Sequence, residues 1–189
     1  MIKILLITIA VFLQINAQNI NLSTDKWKSI GSWVTSKENN STIVSLTKPS
    51  GEYYNLRFTK NIGLSNGTLS VMFKANSGSE DQGGGIMWNV QDKDNYLVAR
   101  FNPLEDNFRF YTVTDGLRVE KASSSIKLAS GWHSMTIKVY MSHYRLFLDN
   151  KKLLDFTFES KFKKLGGVGL WTKSDALTSF KNFEIGYWK

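Results

Sequence analysis

The sequence contains no cysteine, which excludes disulfides, thiolate zinc sites, a cysteine nucleophile and the lipid-bearing cysteine of a bacterial lipoprotein. Packing alone must hold the fold. Histidine is nearly absent, and the two present, His133 and His143, fall on different strand-like runs without metal-ligand spacing. Helix periodicity is missing except over residues 159–165, where one helical turn is expected. No internal repeat, low-complexity linker or composition break divides the chain after Gln18. Its 189 residues therefore predict one domain of ordinary size.

Long apolar runs are also lacking, apart from the start, MIKILLITIAVFLQINA. Lys3 precedes the run and Ala17 closes it, the layout of a secretory signal peptide over residues 1–17. Ile4 to Ile15 is shorter than the roughly 20 apolar residues of a membrane helix; an uncleaved anchor is the alternative reading. Cleavage after Ala17 would start the mature chain at Gln18, with a polar lead-in over 18–25 and the domain over 26–189. A periplasmic or secreted protein without a membrane span in its mature chain is the expectation.

Negative charge is scarce, with 16 Asp and Glu against 24 Lys and Arg and a net charge of +8. Basic charge raises nucleic acid as a partner. Export argues against it, as does the scatter of Lys among Asp and Glu, the densest cluster being Lys161, Lys163 and Lys164. The expectation is a solvated basic face and no nucleic acid, with weak attraction to anionic glycans or envelope surfaces as the functional version.

What the chain does have is short β-rich runs with regular turn punctuation. Lys26 to Val34, Thr42 to Thr47 and Tyr53 to Phe58 come first, the last two separated by the turn residues of Lys48-Pro49-Ser50-Gly51. Thr68 to Lys74 alternates Leu69, Val71 and Phe73 with polar positions. Between Gly83 and Arg109, Leu97, Ala99 and Phe101 share one parity, and Tyr96, Val98 and Arg100 the other. Phe108 and Phe110 likewise oppose Asn107, Arg109 and Tyr111, so each strand is expected to be packed on one side only. The glycines at 83–85 lack the strand-then-helix context of a phosphate loop and predict a bulge or close strand approach. Asp115-Gly116 and Asp149-Asn150 mark tight hairpin turns. About a dozen strands in this pattern predict an all-β fold, a two-sheet antiparallel jelly-roll β-sandwich.

Two blocks, GGGIMWNVQDKDNYLVARFNPLEDNFRFY and GGVGLWTKSDALTSFKNFEI, resemble a family of exported bacterial proteins with the concanavalin A-like, laminin-G-like jelly roll. Trp88, Gln91-Asp92, Asn95-Tyr96, Ala99-Arg100, Asn102 and Leu104 to Asn107 carry the first block, and Gly169 to Asp175 the second. The resemblance spans roughly Lys26 to Ile185 and implies the fold of lectins, carbohydrate-binding modules, glucanases and a group named for three-keto-disaccharide hydrolysis. The Glu-x-Asp-x-x-Glu type of motif of the retaining glucanases is absent. The resemblance also implies a structural calcium supported by an acidic pair on the last strand, where this chain has Lys181-Asn182.

A saccharide presents apolar C–H faces ringed by hydroxyls, so it is met by an aromatic platform beside fixed donors and acceptors. Trp171 and Lys173 share a parity with Gly167 and Gly169, whose missing side chains would leave room for a ligand. Tyr96, Arg100, Asn107 and Arg109 take the non-core parity of neighbouring strands, with Glu105 in the turn between them and Trp88 as a possible edge. The structural alternative is that Trp171 is core and the arginines pair with Glu105, Asp106 or Asp175. The sequence thus predicts a non-catalytic module that binds a saccharide or another envelope ligand on this face, with no cofactor. Two readings stay open beside it: a glycoside-processing hydrolase using Glu105 and Asp175 as its carboxylate pair, and a module that binds an envelope protein.

Overall fold

The structure, a computed structural model, describes residues 16–23, 26–60, 62–162 and 165–188, and these residues contain strands and turns but no helix. In chain order β1 spans Asn16–Asn19, β2 Lys28–Ile30, β3 Ser32–Glu38, β4 Ser41–Lys48 and β5 Tyr54–Thr59. β6 (Gly67–Ser77), β7 (Gly84–Val90), β8 (Tyr96–Asn102), β9 (Asn107–Thr114) and β10 (Leu117–Ser125) form the middle of the chain. β11 (His133–Tyr140), β12 (His143–Leu148), β13 (Lys151–Thr157), β14 (Gly167–Lys173) and β15 (Leu177–Tyr187) complete it.

Two antiparallel sheets result. One has eight strands, in the order β13-β12-β11-β6-β15-β4-β3, with β1 added beside β15. The other has seven, β10-β9-β8-β7-β14-β5-β2. Sequence neighbours repeatedly fall in opposite sheets, the winding of a jelly-roll sandwich. The expected hairpin turns are present, with Asp115, Asp149 and Asn150 at φ of 51°, 47° and 64°, the left-handed conformations that primed turns require.

The core between the sheets follows the alternation read from the sequence. Leu69, Val71 and Phe73 of β6 face Ile86, Leu97, Phe101 and Phe108 of the other sheet, all buried. An aromatic stack crosses one end, with Trp88 and Phe110 5.5 Å apart and Phe110 and Phe156 4.9 Å apart. Trp88 is therefore a core residue and not a site edge.

Three local expectations differ from the structure. The run from Lys26 to Val34 is two strands in different sheets, because the chain crosses over at Gly31, whose φ of 91° is costly for any residue with a Cβ. The lead-in over 18–25 is partly structured: Gln18 and Asn19 pair with Ile185 and Glu184, and Ile20 and Leu22 are buried in the core. Residues 159–162 form no helical turn. Residues 1–15, most of the expected signal segment, and Lys163 and Lys164 lie outside the described residues.

Candidate functional site

Strand alternation, shifted by one residue in β7 at Asn89 (φ 52°), places one set of side chains on the outer face of the seven-stranded sheet. They are Leu56 and Phe58 on β5, Met87 and Val90 on β7, Tyr96 and Val98 on β8, Tyr111 and Val113 on β9, and Trp171 on β14. These form a second apolar cluster separate from the core, with Ile30 and Tyr54 packed against it. Trp171 Nε1 donates to Tyr96 Oη at 3.1 Å, and the Tyr54 ring lies 5.3 Å from that of Trp171.

Arg118, from the edge strand β10, lays its guanidinium 4.4 Å over Tyr111 and 5.7 Å from the Trp171 ring. Four strand spacings separate β10 from β14, roughly 19 Å in a flat sheet. The two side chains close that span only because the sheet curls toward its outer face, which is therefore concave. Curvature also explains why every residue of β8 is buried on both sides, where one packed face was expected.

Toward the other end of the same face the chemistry turns polar. Arg100, 1% exposed, donates from Nη2 to both oxygens of Asp81 at 2.8 Å. Lys173 Nζ reaches Asp81 at 3.1 Å, so one buried carboxylate neutralises part of two cations. Glu105 sits beyond Arg100, accepting from Asn107 Nδ2 at 2.6 Å and lying 3.4 Å from Arg100 and 3.3 Å from Arg109. Arg109 in turn meets Glu120 at 3.2 Å. The result is a chain of alternating charges in which Asp81 and Arg100 are buried while the Glu105 side chain is 45% exposed. The hydrogen bond from Asn107, helped by Arg100 and Arg109, holds the Glu105 carboxyl below its usual range.

Asp175 does different work. In the turn after β14 its carboxylate accepts the backbone N–H groups of Ser79, Glu80 and Asp81 and the hydroxyl of Ser79. Those hydrogen bonds, the Ser79 N–H foremost, push its carboxyl far below the ordinary range. They also fix the loop that delivers Asp81 to Arg100. With both oxygens taken by one loop, Asp175 is a loop anchor set apart from Glu105.

Several buried polar atoms at this end have no partner: Arg100 Nε, Asn102 Nδ2 and Asn107 Oδ1. Asn102 and Asn107 are opposed across β8 and β9. Buried polar atoms are nearly always satisfied, so these three, shut off from solvent, are a local cost of the polar end.

The structure thus brings Tyr96, Arg100, Glu105, Asn107, Arg109, Trp171 and Lys173 to one face, and only some of them to its surface. Trp171 was expected as an exposed platform and is fully buried, beneath Tyr54 and Arg118. Tyr96 is buried as its hydrogen-bond partner, and its burial raises the phenol pKa. Gly167 and Gly169 do not open ligand space. A Cβ at Gly169 would stand 2.7 Å from Phe58 Cβ, and one at Gly167 1.8 Å from the Thr59 carbonyl, so these glycines let β14 approach β5.

Sequence reasoning missed Asp81, Tyr53, Tyr54, Tyr111 and Arg118. The parity of β5, β9 and β10 could have found the last three. Asp81 carries no such signal, because a loop residue's distant partner leaves no local pattern. The surface aromatic is Tyr53, 58% exposed, with Lys173 Nζ 4.9 Å over its ring.

No group of three or more His, Asp or Glu among the described residues is arranged to hold a metal ion. The last strand does not fit the calcium that the resemblance implied: Lys181 supplies a cation there, 4.3 Å over Trp132. Asp92 Oδ1 accepts from Asp94 N and Asn95 Nδ2, closing the β7–β8 turn as a hairpin. The histidines act as ties, His133 to Asp149 at 2.7 Å and His143 to Asp155 at 2.5 Å.

The two sheets and their winding define a concanavalin A-like jelly-roll sandwich. Among solved structures, the carbohydrate-binding module CBM66 from Bacillus subtilis is similar with a TM-score of 0.71 and 17% identity, over 84% of this chain and 94% of that one. The Bacillus licheniformis β-glucanase is similar at 0.61 and 11%, over 93% and 98%. The VIP36 exoplasmic/lumenal domain, in a form with Ca2+ and mannose bound, is similar at 0.60 and 12%, over 87% and 83%. No protein of curated function matches the sequence. Residues 16–186 match the 3-keto-α-glucoside-1,2-lyase-like domain, and the chain belongs to that family.

Proposed function

We propose that this chain is an exported saccharide-binding module whose ligand lies on the polar end of the concave face, held by Glu105, Arg109, Lys173 and Tyr53. The observation that carries the reading is the mixture of exposed groups on a rigid base. Exposed Glu105 and half-buried Arg109 are fixed by the buried Asp81–Arg100 pair. Acceptors and donors fixed before binding suit hydroxyls, which can both give and take a hydrogen bond. Tyr53 supplies an apolar surface at the rim. The solved carbohydrate-binding relative of the same fold supports the class of ligand, and the N-terminal segment supports export.

A hydrolase using Glu105 and Asp175 is the weaker reading on this geometry. Such a pair needs one carboxyl raised so that it can donate a proton, and both are lowered. One observation keeps an enzymatic alternative: Glu105 is ionised and exposed, the state of a general base. The 3-keto-α-glucoside named in the family description is the substrate that alternative would use. A screen of neutral and acidic polysaccharides by affinity electrophoresis, with the bound sugars analysed for cleavage, tests both. Retardation without cleavage is expected; product formation lost in Glu105→Gln would establish the enzyme instead.

A further inference from the structure

Arg118 stands out among the arginines of the concave face. Arg100 and Arg109 are each committed to carboxylates. Arg118 forms no hydrogen bond or ion pair with any described residue, and its Nη1 is buried without an acceptor. Its contacts are rings alone, with the guanidinium carbon 4.4 Å from Tyr111, 5.7 Å from Trp171 and 5.9 Å from Tyr54. Two acids of the surrounding strands and turns are engaged elsewhere, Glu120 by Arg109 at 3.2 Å and Asp94 by Lys93 at 3.1 Å.

Stacking on aromatic faces satisfies the flat surfaces of a guanidinium and leaves its N–H edge unsatisfied. That edge is a planar fork whose best match is a carboxylate or another planar oxyanion. A half-buried cation without a counter-ion is also costly where it stands, and an incoming anion relieves that cost. Tyr54, one of the three rings against Arg118, also lines a hollow of about 190 Å3 with Leu56, Lys93 and Gly116, whose wall carries Glu52 and Asp94. The other end of Tyr111 points back to the polar cluster, its hydroxyl 3.5 Å from Arg109 Nη1. Tyr111, itself buried, thus links Arg118 over its ring to the Glu105–Arg109 cluster at its hydroxyl, so that one ligand across this face can meet both.

We infer that the concave face recognises an acidic saccharide, with the sugar carboxylate taken by the unpaired guanidinium of Arg118. The inference rests on the saccharide reading above and adds the charge of the ligand. The chain's excess of basic residues favours approach of such a glycan, but Arg118 is what selects it.

The test uses oligosaccharides of galacturonate, glucuronate and mannuronate, each paired with its carboxyl-reduced neutral form, titrated into the full chain at low salt. At least one uronate form is expected to bind tenfold or more tighter than its neutral partner, and added salt should narrow the gap. Arg118→Met should bring the two forms to within about twofold, and Arg118→Lys, which keeps the charge but loses the fork, should recover only part of the difference. Equal binding of acidic and neutral forms by the wild type would overturn the inference and leave the saccharide reading standing. Undiminished discrimination by a folded Arg118→Met would also overturn it, leaving the arginine a packing residue. Binding of neither form in any pair would overturn both readings. The paired ligands decide the matter even if the variants fold poorly.

Discussion

Asp175 accepts the backbone N–H of Asp81 at 2.8 Å, and Asp81 uses its own carboxylate to take both 2.8 Å hydrogen bonds from Arg100. Two acids therefore act in series: one shapes a loop, and the other, carried by that loop, neutralises the buried arginine beneath the face. Neither is free to bind a ligand. Glu105 and Arg109 depend on the relay, because Arg100 is the fixed point against which Glu105 is held.

Removing the first acid should therefore be felt at the second. Asp175→Ala is expected to lose roughly 1–3 kcal/mol, the cost of orphaning hydrogen-bond donors that met a charged acceptor. It should also weaken saccharide binding through the displaced Asp81. Urea denaturation with parallel binding titrations checks this; unchanged binding in a destabilised variant would show that the loop does not position the site.

The buried pair should behave as a unit. Arg100→Met leaves Asp81 with Lys173 as its remaining partner and is expected to cost about 3–5 kcal/mol, whereas Arg100→Met combined with Asp81→Asn should recover part of the loss. A double-mutant cycle measures the coupling, and additive losses would mean that the two side chains do not share one interaction.

Acid should weaken the fold in a defined window. Asp175 and Asp155 both have folded-state pKa values below the unfolded value, Asp155 at about 2 through Lys152 and His143. A depressed carboxylate contributes stability that is present above its unfolded pKa of about 3.9 and is lost as pH falls through the folded value. Thermal melts should thus be flat near neutrality with respect to these groups and fall from about pH 4 downward. Asp175→Asn should flatten that limb; an unchanged acid slope would mean that Asp175 is not its source.

Export predicts a mature N-terminus at Gln18. Intact mass and N-terminal sequencing of protein from the native host check it, and retention of Met1 to Ala17 in the mature protein would contradict it. Gln18 and Asn19 would still pair with β15 after cleavage.

The legibility of the sequence divides along the two faces of one sheet. Leu97, Ala99, Phe101, Phe108 and Phe110 announced the core because burial between two sheets enforces alternation. The same alternation placed Tyr96, Arg100, Asn107 and Arg109 together on the far side. It could not show that the sheet curls, so Trp171 was read as a platform when Tyr54 and Arg118 cover it. Nor could it show that Asp81, from a polar loop, would be the partner of Arg100, since nothing local encodes a contact across 19 residues. Trp171→Ala should accordingly cost about 3–5 kcal/mol as the truncation of a fully buried side chain, which makes it a poor probe of binding.

The most direct measurement compares wild type with the double variant Glu105→Gln and Arg109→Met on an array of neutral and acidic oligosaccharides, with melting temperatures in parallel. A saccharide bound by the wild type and at least tenfold weaker to a variant that melts within a few degrees of it is the predicted result. Binding of no saccharide by the wild type, or equal binding by the variant, would contradict the assignment of the concave face.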